Sequence, residues 1–279
     1  MADLNTRISD FVWKNLNEKH VNGKNDPFWK ALNETGTELW LDTGDIDEAE
    51  AIWTSEMSAL TTNNSLLNNE IQKGYYDIFI SEAKATVREL PTEDRLREIA
   101  FMLNARHGLR LALKFGGLVS VELNTDTAHD IKAIEYFGKR FHEICPEQFI
   151  VKVPFTAEGL IGAKRLKDAG IKVNFTLGFS ARQNVLVTRV ARPDYVNVFL
   201  GRVGAFVINN KLGDGSGAGE RAVISSQNWV TGLSARNPWQ TKQIAASLRS
   251  YNQLDLLAGT DVFTMPPKVA AAGRKELSG

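Results

Sequence analysis

Lys152 sits in the run Phe149-Ile-Val-Lys-Val-Pro154, with a valine on each side. A lysine in such a strand ordinarily packs its methylene stem and carries its amine out to solvent. The alternative is chemical: partial desolvation disfavours the ammonium, lowers the pKa and frees the amine to attack a carbonyl. Two carboxylates share the context. Asp42 closes Glu38-Leu-Trp-Leu-Asp42, and Glu122 follows Val119-Ser-Val. Acids at strand ends often cap the next helix or pair with a base. Beside an inward lysine they complete a set of one nucleophile and two proton carriers, which a Schiff-base lyase needs. Arg202 and Arg249 each follow an apolar run. Either alone reads as a solvated charge, whereas on adjacent strands the pair would clamp a phosphate through planar guanidinium groups.

Groups so far apart in sequence need a scaffold with many strand ends. Eight short apolar runs supply it: Glu38–Asp42, Ser58–Thr62, Leu118–Leu123, Phe149–Val153, Val173–Leu177, Tyr195–Leu200, Gln243–Leu248 and Asp261–Thr264. Helical patterns fall between them. Asp45 with Glu48 reads as a capping pair before Ala49–Trp53. Pro91-Thr92 opens a helix through Leu96, Ile99 and Leu103, and Ala157–Asp168 ends at Gly170. Alternating strands and helices imply a parallel sheet, and eight units in 279 residues fit an α/β fold of the (β/α)8 TIM-barrel type, which typically takes about 250 residues. Residues 1–36 precede the first strand and read as an N-terminal helical extension anchored by Trp13 and Trp29; residues 37–279 form the barrel.

Side chains alternate faces along a strand, so parity assigns direction. Leu39 and Leu41 oppose Trp40 and Asp42; Val119 and Val121 oppose Ser120 and Glu122; Phe149, Val151 and Val153 oppose Lys152; Val173, Phe175 and Leu177 oppose Asn174 and Thr176; Val196, Val198 and Leu200 oppose Asn197 and Phe199; Ile244, Ala246 and Leu248 oppose Ala245, Ser247 and Arg249. The apolar parity suits the layer under the helices. The polar one points into the mouth at the C-terminal strand ends, where such barrels build their sites.

Composition sets limits. Lys plus Arg equals Asp plus Glu at 33 each, which argues against a broad nucleic-acid footprint. No apolar run approaches the roughly 18 residues of a membrane span, and Met1 to His20 lacks the apolar stretch of a secretory signal, so no membrane partner and a cytoplasmic location are expected. Cys145, the single cysteine, reads as the end of an apolar helix face and implies no disulfide. The four histidines (His20, His107, His129, His142) fall on expected helices or in the extension without an i, i+4 pair, so no metal site is expected. The glycine-rich run 213–219 lacks the spacing of a phosphate or dinucleotide loop and reads as a mobile loop or lid near the mouth. An assembly of identical subunits is compatible with all of this.

The same residues carry a resemblance. Leu41-Asp42-Thr43-Gly44-Asp45-Ile46, Thr61-Thr62-Asn63 with Ser65-Leu66-Leu67, Val119-Ser120-Val121-Glu122, Val151-Lys152-Val153-Pro154 with Glu158-Gly159, Val173-Asn174-Phe175-Thr176-Leu177, Phe199-Leu200-Gly201-Arg202-Val203, Ala245-Ala246-Ser247-Leu248-Arg249 and Thr264-Met265-Pro266-Pro267 resemble, in order, the eight strand motifs of the transaldolases. The resemblance implies that Lys152 forms a Schiff base, that Asp42 moves the proton of the sugar C4 hydroxyl, and that Glu122 and Thr176 orient a catalytic water. It implies that Asn63 and Asn174 hold the dihydroxyacetone part, and that Arg202 and Arg249 bind phosphate. No cofactor is implied, because the lysine is itself the electron sink, and the partners are small sugar phosphates. Three departures stand out. Asn64 replaces a proline, Asn197 replaces a serine of the phosphate site, and little of the usual C-terminal segment follows Pro267. None is expected to touch the lysine, the acids or the arginines. Beside transfer, two readings stay open: an aldolase releasing free dihydroxyacetone, or acting on another anionic sugar such as a sulfonate, and a non-catalytic sugar-phosphate-binding barrel.

Overall fold

The computed structural model describes residues 3–278. Eight strands lie where the apolar runs put them: β1 (Glu38–Asp42), β2 (Met57–Thr61), β3 (Leu118–Glu122), β4 (Phe149–Pro154), β5 (Val173–Thr176), β6 (Tyr195–Phe199), β7 (Lys242–Ala246) and β8 (Val262–Met265). Each pairs in parallel with the next, and β8 closes on β1. Two helices, α1 (Leu4–Trp13) and α2 (Pro27–Glu34), precede β1. After it come α3 (Ile46–Ile52), α4 (Asn64–Gln72), α5 (Asp77–Thr86), α6 (Thr92–Phe115), α7 (Ile131–Ile144), α8 (Ala157–Asp168), α9 (Ala181–Val190), α10 (Leu200–Asn209), α11 (Ala218–Ser234), α12 (Asn252–Leu256) and α13 (Pro267–Glu276). Caps explain several starts. Asp45 accepts from the Asp47 and Glu48 amides at 2.9 and 3.0 Å, and Thr156 accepts from Gly159 at 2.8 Å. Each satisfies amides that the first turn leaves unpaired.

Strand parity divides the interior into two layers. Leu39, Leu41, Val119, Val121, Val151, Val153, Val173, Phe175, Val196 and Val198 join the larger core under the helices. Trp40, Ala59, Ile150, Ile244, Ala246 and Val262 fill the barrel itself. The small Ala59 and Ala246 share this layer with the Trp40 indole, which meets Tyr195 edge-on at 4.6 Å. The inward set is therefore apolar low in the barrel and polar near the mouth.

Four expectations are corrected. In β7 the parity is reversed: Ala245 joins the outer core, and Ile244 and Ala246 face inward. Ile-Ala-Ala is apolar on both faces, so its alternation carries no direction, and Ser247, with φ +63°, breaks the alternation before Arg249. Leu177 leaves β5 through a φ of +69° and is exposed, not under the helices. Leu96 is exposed because the buried residues of α6 begin at Glu98. Trp29 is buried, but Trp13 is 44% exposed.

What anchors α1 is Ile8, Phe11 and Val12, together with Arg106 from α6. Buried Arg106 donates through Nη1 to the carbonyls of Phe11 (2.9 Å) and Val12 (3.1 Å), and its guanidinium lies 4.0 Å over the Phe79 ring. A helix end leaves its last carbonyls without intrahelical partners, and here an arginine replaces water. Arg106→Met should cost about 2–4 kcal/mol, by leaving buried carbonyls unpaired. In hydrogen exchange, protection should fall first in α1. Unchanged denaturation midpoint and exchange would show that α1 is held by its apolar face alone.

Candidate active site

Register brings the chemistry together. Glu122 is the cross-strand partner of Lys152, and Lys152 is that of Asn174. Asp42 pairs with Thr61 in the same way. Lys152 is 6% exposed. Its Nζ lies 2.9 Å from Glu122 Oε2 and donates to the Thr62 carbonyl at 3.0 Å. Strand β4 thus holds the amine inside the mouth with its donors committed to a carboxylate and a carbonyl, and the snorkelling reading is set aside.

Asp42 accepts from Thr61 Oγ1 at 2.9 Å, and Thr61 Oγ1 lies 2.6 Å from Thr264 Oγ1. A hydroxyl has one hydrogen to give, so Thr61 donates to the carboxylate and Thr264 donates to Thr61. Burial pushes the Asp42 carboxyl above its ordinary range. The charge of Lys152 and the Thr61 hydrogen bond pull against that, Glu122 adds to it, and Arg249 also lowers it. Burial wins, which leaves a carboxylate more basic than a free aspartate.

Asn174 is fully buried and donates from Nδ2 to Ser120 Oγ at 2.9 Å, while its Oδ1 accepts from Asn197 Nδ2 at 2.7 Å. Asn197, in the place of a serine, therefore fixes an amide beside the lysine. Thr176 Oγ1 and Asn197 Oδ1 are buried without a hydrogen-bond partner among the described residues. Asn63 caps α4: its Oδ1 accepts from the Ser65 and Leu66 amides, both at 3.0 Å, which leaves its Nδ2 group for a ligand.

The arginines sit apart from this cluster. Arg202 and Arg249 are both exposed, and neither guanidinium forms an ion pair among the described residues. Gly201 packs against Arg249. A Cβ there would collide with the Ser247 carbonyl oxygen and come within 2.7 Å of Arg249 Cγ and Nε. Only glycine lets the Arg249 side chain lie across the first turn of α10. Gln253 accepts from the Arg249 amide at 2.7 Å and donates to Glu220 at 2.6 Å. Gly201, Glu220, Arg249 and Gln253 line a cleft of about 330 Å³ with Gly204 and Gly215, and Arg202 is not part of its lining. The glycine-rich run connects α10 to α11, with Gly213, Gly215 and Gly217 at positive φ and Gly213, Asp214 and Ser216 exposed.

Two supporting groups escaped the sequence reading. His107, buried on α6, lies 2.8 Å from the Gly44 carbonyl through Nε2 and 2.7 Å from the Tyr76 hydroxyl through Nδ1. A carbonyl only accepts, so Nε2 carries the hydrogen and Nδ1 accepts from Tyr76, whose oxygen accepts from Arg110 at 3.2 Å. Gly44 lies two residues after Asp42, so this chain tethers the Asp42 loop. Burial pushes His107 down to about 4, and the imidazole is neutral at ordinary pH. No local pattern announces this contact. The second group is the Thr61–Thr264 hydroxyl pair, given no role by the sequence reading although both residues share the inward parity of their strands. Among the other histidines, His129 lies in a turn rather than on a helix and pairs with Glu158 at 3.2 Å. Among the described residues, no three His, Cys, Asp or Glu side chains are grouped to hold a metal ion, and no helix is long and apolar enough to cross a membrane.

One departure does touch the acids. Asn64 donates from Nδ2 to Glu122 Oε1 at 3.1 Å and to the Leu123 carbonyl at 3.0 Å. The expectation that no departure reaches this cluster is thereby overturned: the amino end of α4 abuts the end of β3, a proximity that sequence separation hides.

Comparison with known proteins agrees with this geometry. The family model described as Transaldolase/Fructose-6-phosphate aldolase matches residues 39–278. A probable transaldolase of Thermus thermophilus is 35% identical over 236 residues, covering 83% of this chain and 88% of the relative. A transaldolase of Xanthomonas euvesicatoria is 28% identical over 235 residues (81% and 71%), and one of Schizosaccharomyces pombe is 29% identical over 247 residues (85% and 74%). With eight parallel strands closed around a lysine–glutamate pair, and a family match spanning all eight of them, the chain belongs to the transaldolase/fructose-6-phosphate aldolase family.

Proposed function

We propose that the protein is a transaldolase: it moves a dihydroxyacetone unit from a ketose phosphate to an aldehyde through a Schiff base on Lys152. The observation that carries this is the Lys152 amine, held 2.9 Å from Glu122 inside a mouth that also contains Asp42. The ammonium must surrender a proton before its lone pair attacks the ketone, and Glu122 is the acceptor within reach. Of the three ammonium hydrogens, one stays on the iminium nitrogen and two leave with the ketone oxygen as water. Thr176 Oγ1, buried and otherwise unpartnered, suits the orientation of that water.

Asp42 then takes the C4 hydroxyl proton. The C3–C4 electron pair flows into the iminium, an enamine forms, and an aldose leaves. Attack of the enamine on a second aldehyde reverses these movements, with Asp42 returning its proton to the new hydroxyl, and water releases the product from Lys152. A base of raised pKa suits this double duty, because the more basic carboxylate takes up the hydroxyl proton more readily and the acid it becomes can return it. The amides of Asn63 and Asn174 hold the dihydroxyacetone hydroxyls. Arg202 and Arg249 take the phosphate at the rim, with Asn197 supporting Asn174.

Borohydride added with fructose 6-phosphate should reduce the iminium to a stable amine, and mass spectrometry should map the adduct to Lys152. An adduct elsewhere, with Lys152→Ala still active, would overturn the mechanism. Thr61→Val removes a hydrogen bond that favours the Asp42 carboxylate. Asp42 then ionises at higher pH, and the acid limb of kcat/KM should move upward; a stationary limb would assign it to another group. Arg249→Ala should lower kcat/KM for anionic sugars roughly 30- to 1000-fold, equivalent to about 2–4 kcal/mol, and spare the neutral sugar. Equal loss on both would mean that Arg249 supports the rim and not the anion.

A further inference from the structure

Glu122 has two oxygens with different partners. Oε2 faces Lys152 at 2.9 Å, and Oε1 accepts from Asn64 Nδ2 at 3.1 Å. The second hydrogen of the same Nδ2 is spent on the Leu123 carbonyl, at 3.0 Å. The Asn64 amide therefore grips both the side chain of Glu122 and the main chain just beyond it. Asn104, from α6, adds a bond of 2.8 Å to the Glu122 carbonyl. The side chain of Glu122 is 22% exposed, so without Asn64 one carboxylate oxygen would be free to turn toward the open mouth.

Nothing in helix formation calls for asparagine at this position. Asn64 is the first residue of α4, and Asn63 before it is the cap. A first helical residue lends its amide to no intrahelical bond, which is why proline is favoured there. The backbone is ready for one: Asn63 has φ −153° and ψ 168°, the extended conformation that a residue before proline must adopt. Asparagine thus stands where proline would serve the helix equally well, and what it adds is a donor that proline lacks.

We propose that Asn64 is a positioning residue for Glu122: it holds the carboxylate in the rotamer that exchanges protons with Lys152 and with the water of imine formation and hydrolysis. This rests on the transaldolase reading above. Asn64 touches neither substrate nor the reacting atoms. It acts on the two steps that move water, and the carbon–carbon step, which uses Asp42, proceeds as before.

The test uses the intact chain with dihydroxyacetone as probe, since this ketone forms the imine without any carbon–carbon step. Rapid quenching into borohydride gives the rate at which the Lys152 adduct accumulates. Asn64→Pro should fold like the wild type and slow adduct formation roughly tenfold, the size expected for loss of one hydrogen bond to a charged group. In full turnover with fructose 6-phosphate, the ¹³C isotope effect at C3–C4 should shrink, because imine formation becomes slower relative to cleavage. Asn64→Ser, which is too short to span to Glu122, should behave in the same way and covers the case in which the proline variant fails to fold. In an Glu122→Ala background both substitutions should change the rate less than twofold. The proposal is overturned if both variants form adduct at the wild-type rate, or if the tenfold loss persists undiminished without Glu122. Absence of any Lys152 adduct in the wild-type chain would overturn the transaldolase reading itself, and the positioning role with it.

Discussion

An ammonium and a carboxylate held together inside a barrel set the terms for everything around them. Taking two such charges out of water costs several kcal/mol for each ion, and their attraction repays this only when the remaining donors and acceptors are also satisfied. Lys152 and Glu122 meet the condition through the Thr62 carbonyl on one side and the Asn64 amide on the other. The pair can be placed at all because the β3–β4 register sets the two residues opposite each other. That register depends on closure of the whole sheet, which depends in turn on the apolar plug of Trp40, Ile150, Ile244 and Val262 below. The barrel is best understood as a support that keeps one expensive contact satisfied while leaving its upper side open.

At the ends of β5 and β7 the chain turns out of the barrel under strain. Leu177 and Ser247 adopt positive φ without being glycine, a conformation that costs of order 1–3 kcal/mol and survives only when its surroundings impose it. Both follow strands that deliver residues to the mouth: Thr176 precedes Leu177, and Arg249 lies two residues beyond Ser247. The Ser247 carbonyl also packs against Gly201. At Ser247 this strained turn lies beside Arg249, where a tight backbone path lets β7 present a long cation over α10.

Most of the architecture was legible in the sequence because period-two alternation is strong wherever one face is valine and the other polar, as in Val119 to Glu122. It failed in β7, where Ile244, Ala245 and Ala246 are apolar on both faces and only the tertiary environment gives direction. The ionic residues could be found by parity, and so could Thr61 and Thr264 once their strands were recognised. What parity cannot find is a partner arriving from another element. Asn64 comes from a helix start, His107 from the middle of a long helix, and Arg106 from the residue just before it. Each acts on main-chain or carboxylate oxygens far away in sequence, and no spacing rule connects them.

The tether between His107 and the loop after Asp42 gives the two buried groups opposite leverage on folding. An unfolded chain protonates its histidine near 6.5, whereas folded His107 resists until about 4. Acid therefore favours the unfolded chain across that interval, by on the order of 3 kcal/mol at its lower end. Asp42 behaves in the contrary sense. Its folded pKa lies above the unfolded one, so the native state holds that proton more tightly and gains stability as the pH falls through the raised value. One loop is thus loosened at its Gly44 end by the same acidification that relieves the buried charge at its Asp42 end. The protein's tolerance of mild acid becomes a balance struck across three residues, separate from the pH at which its catalytic base is ready.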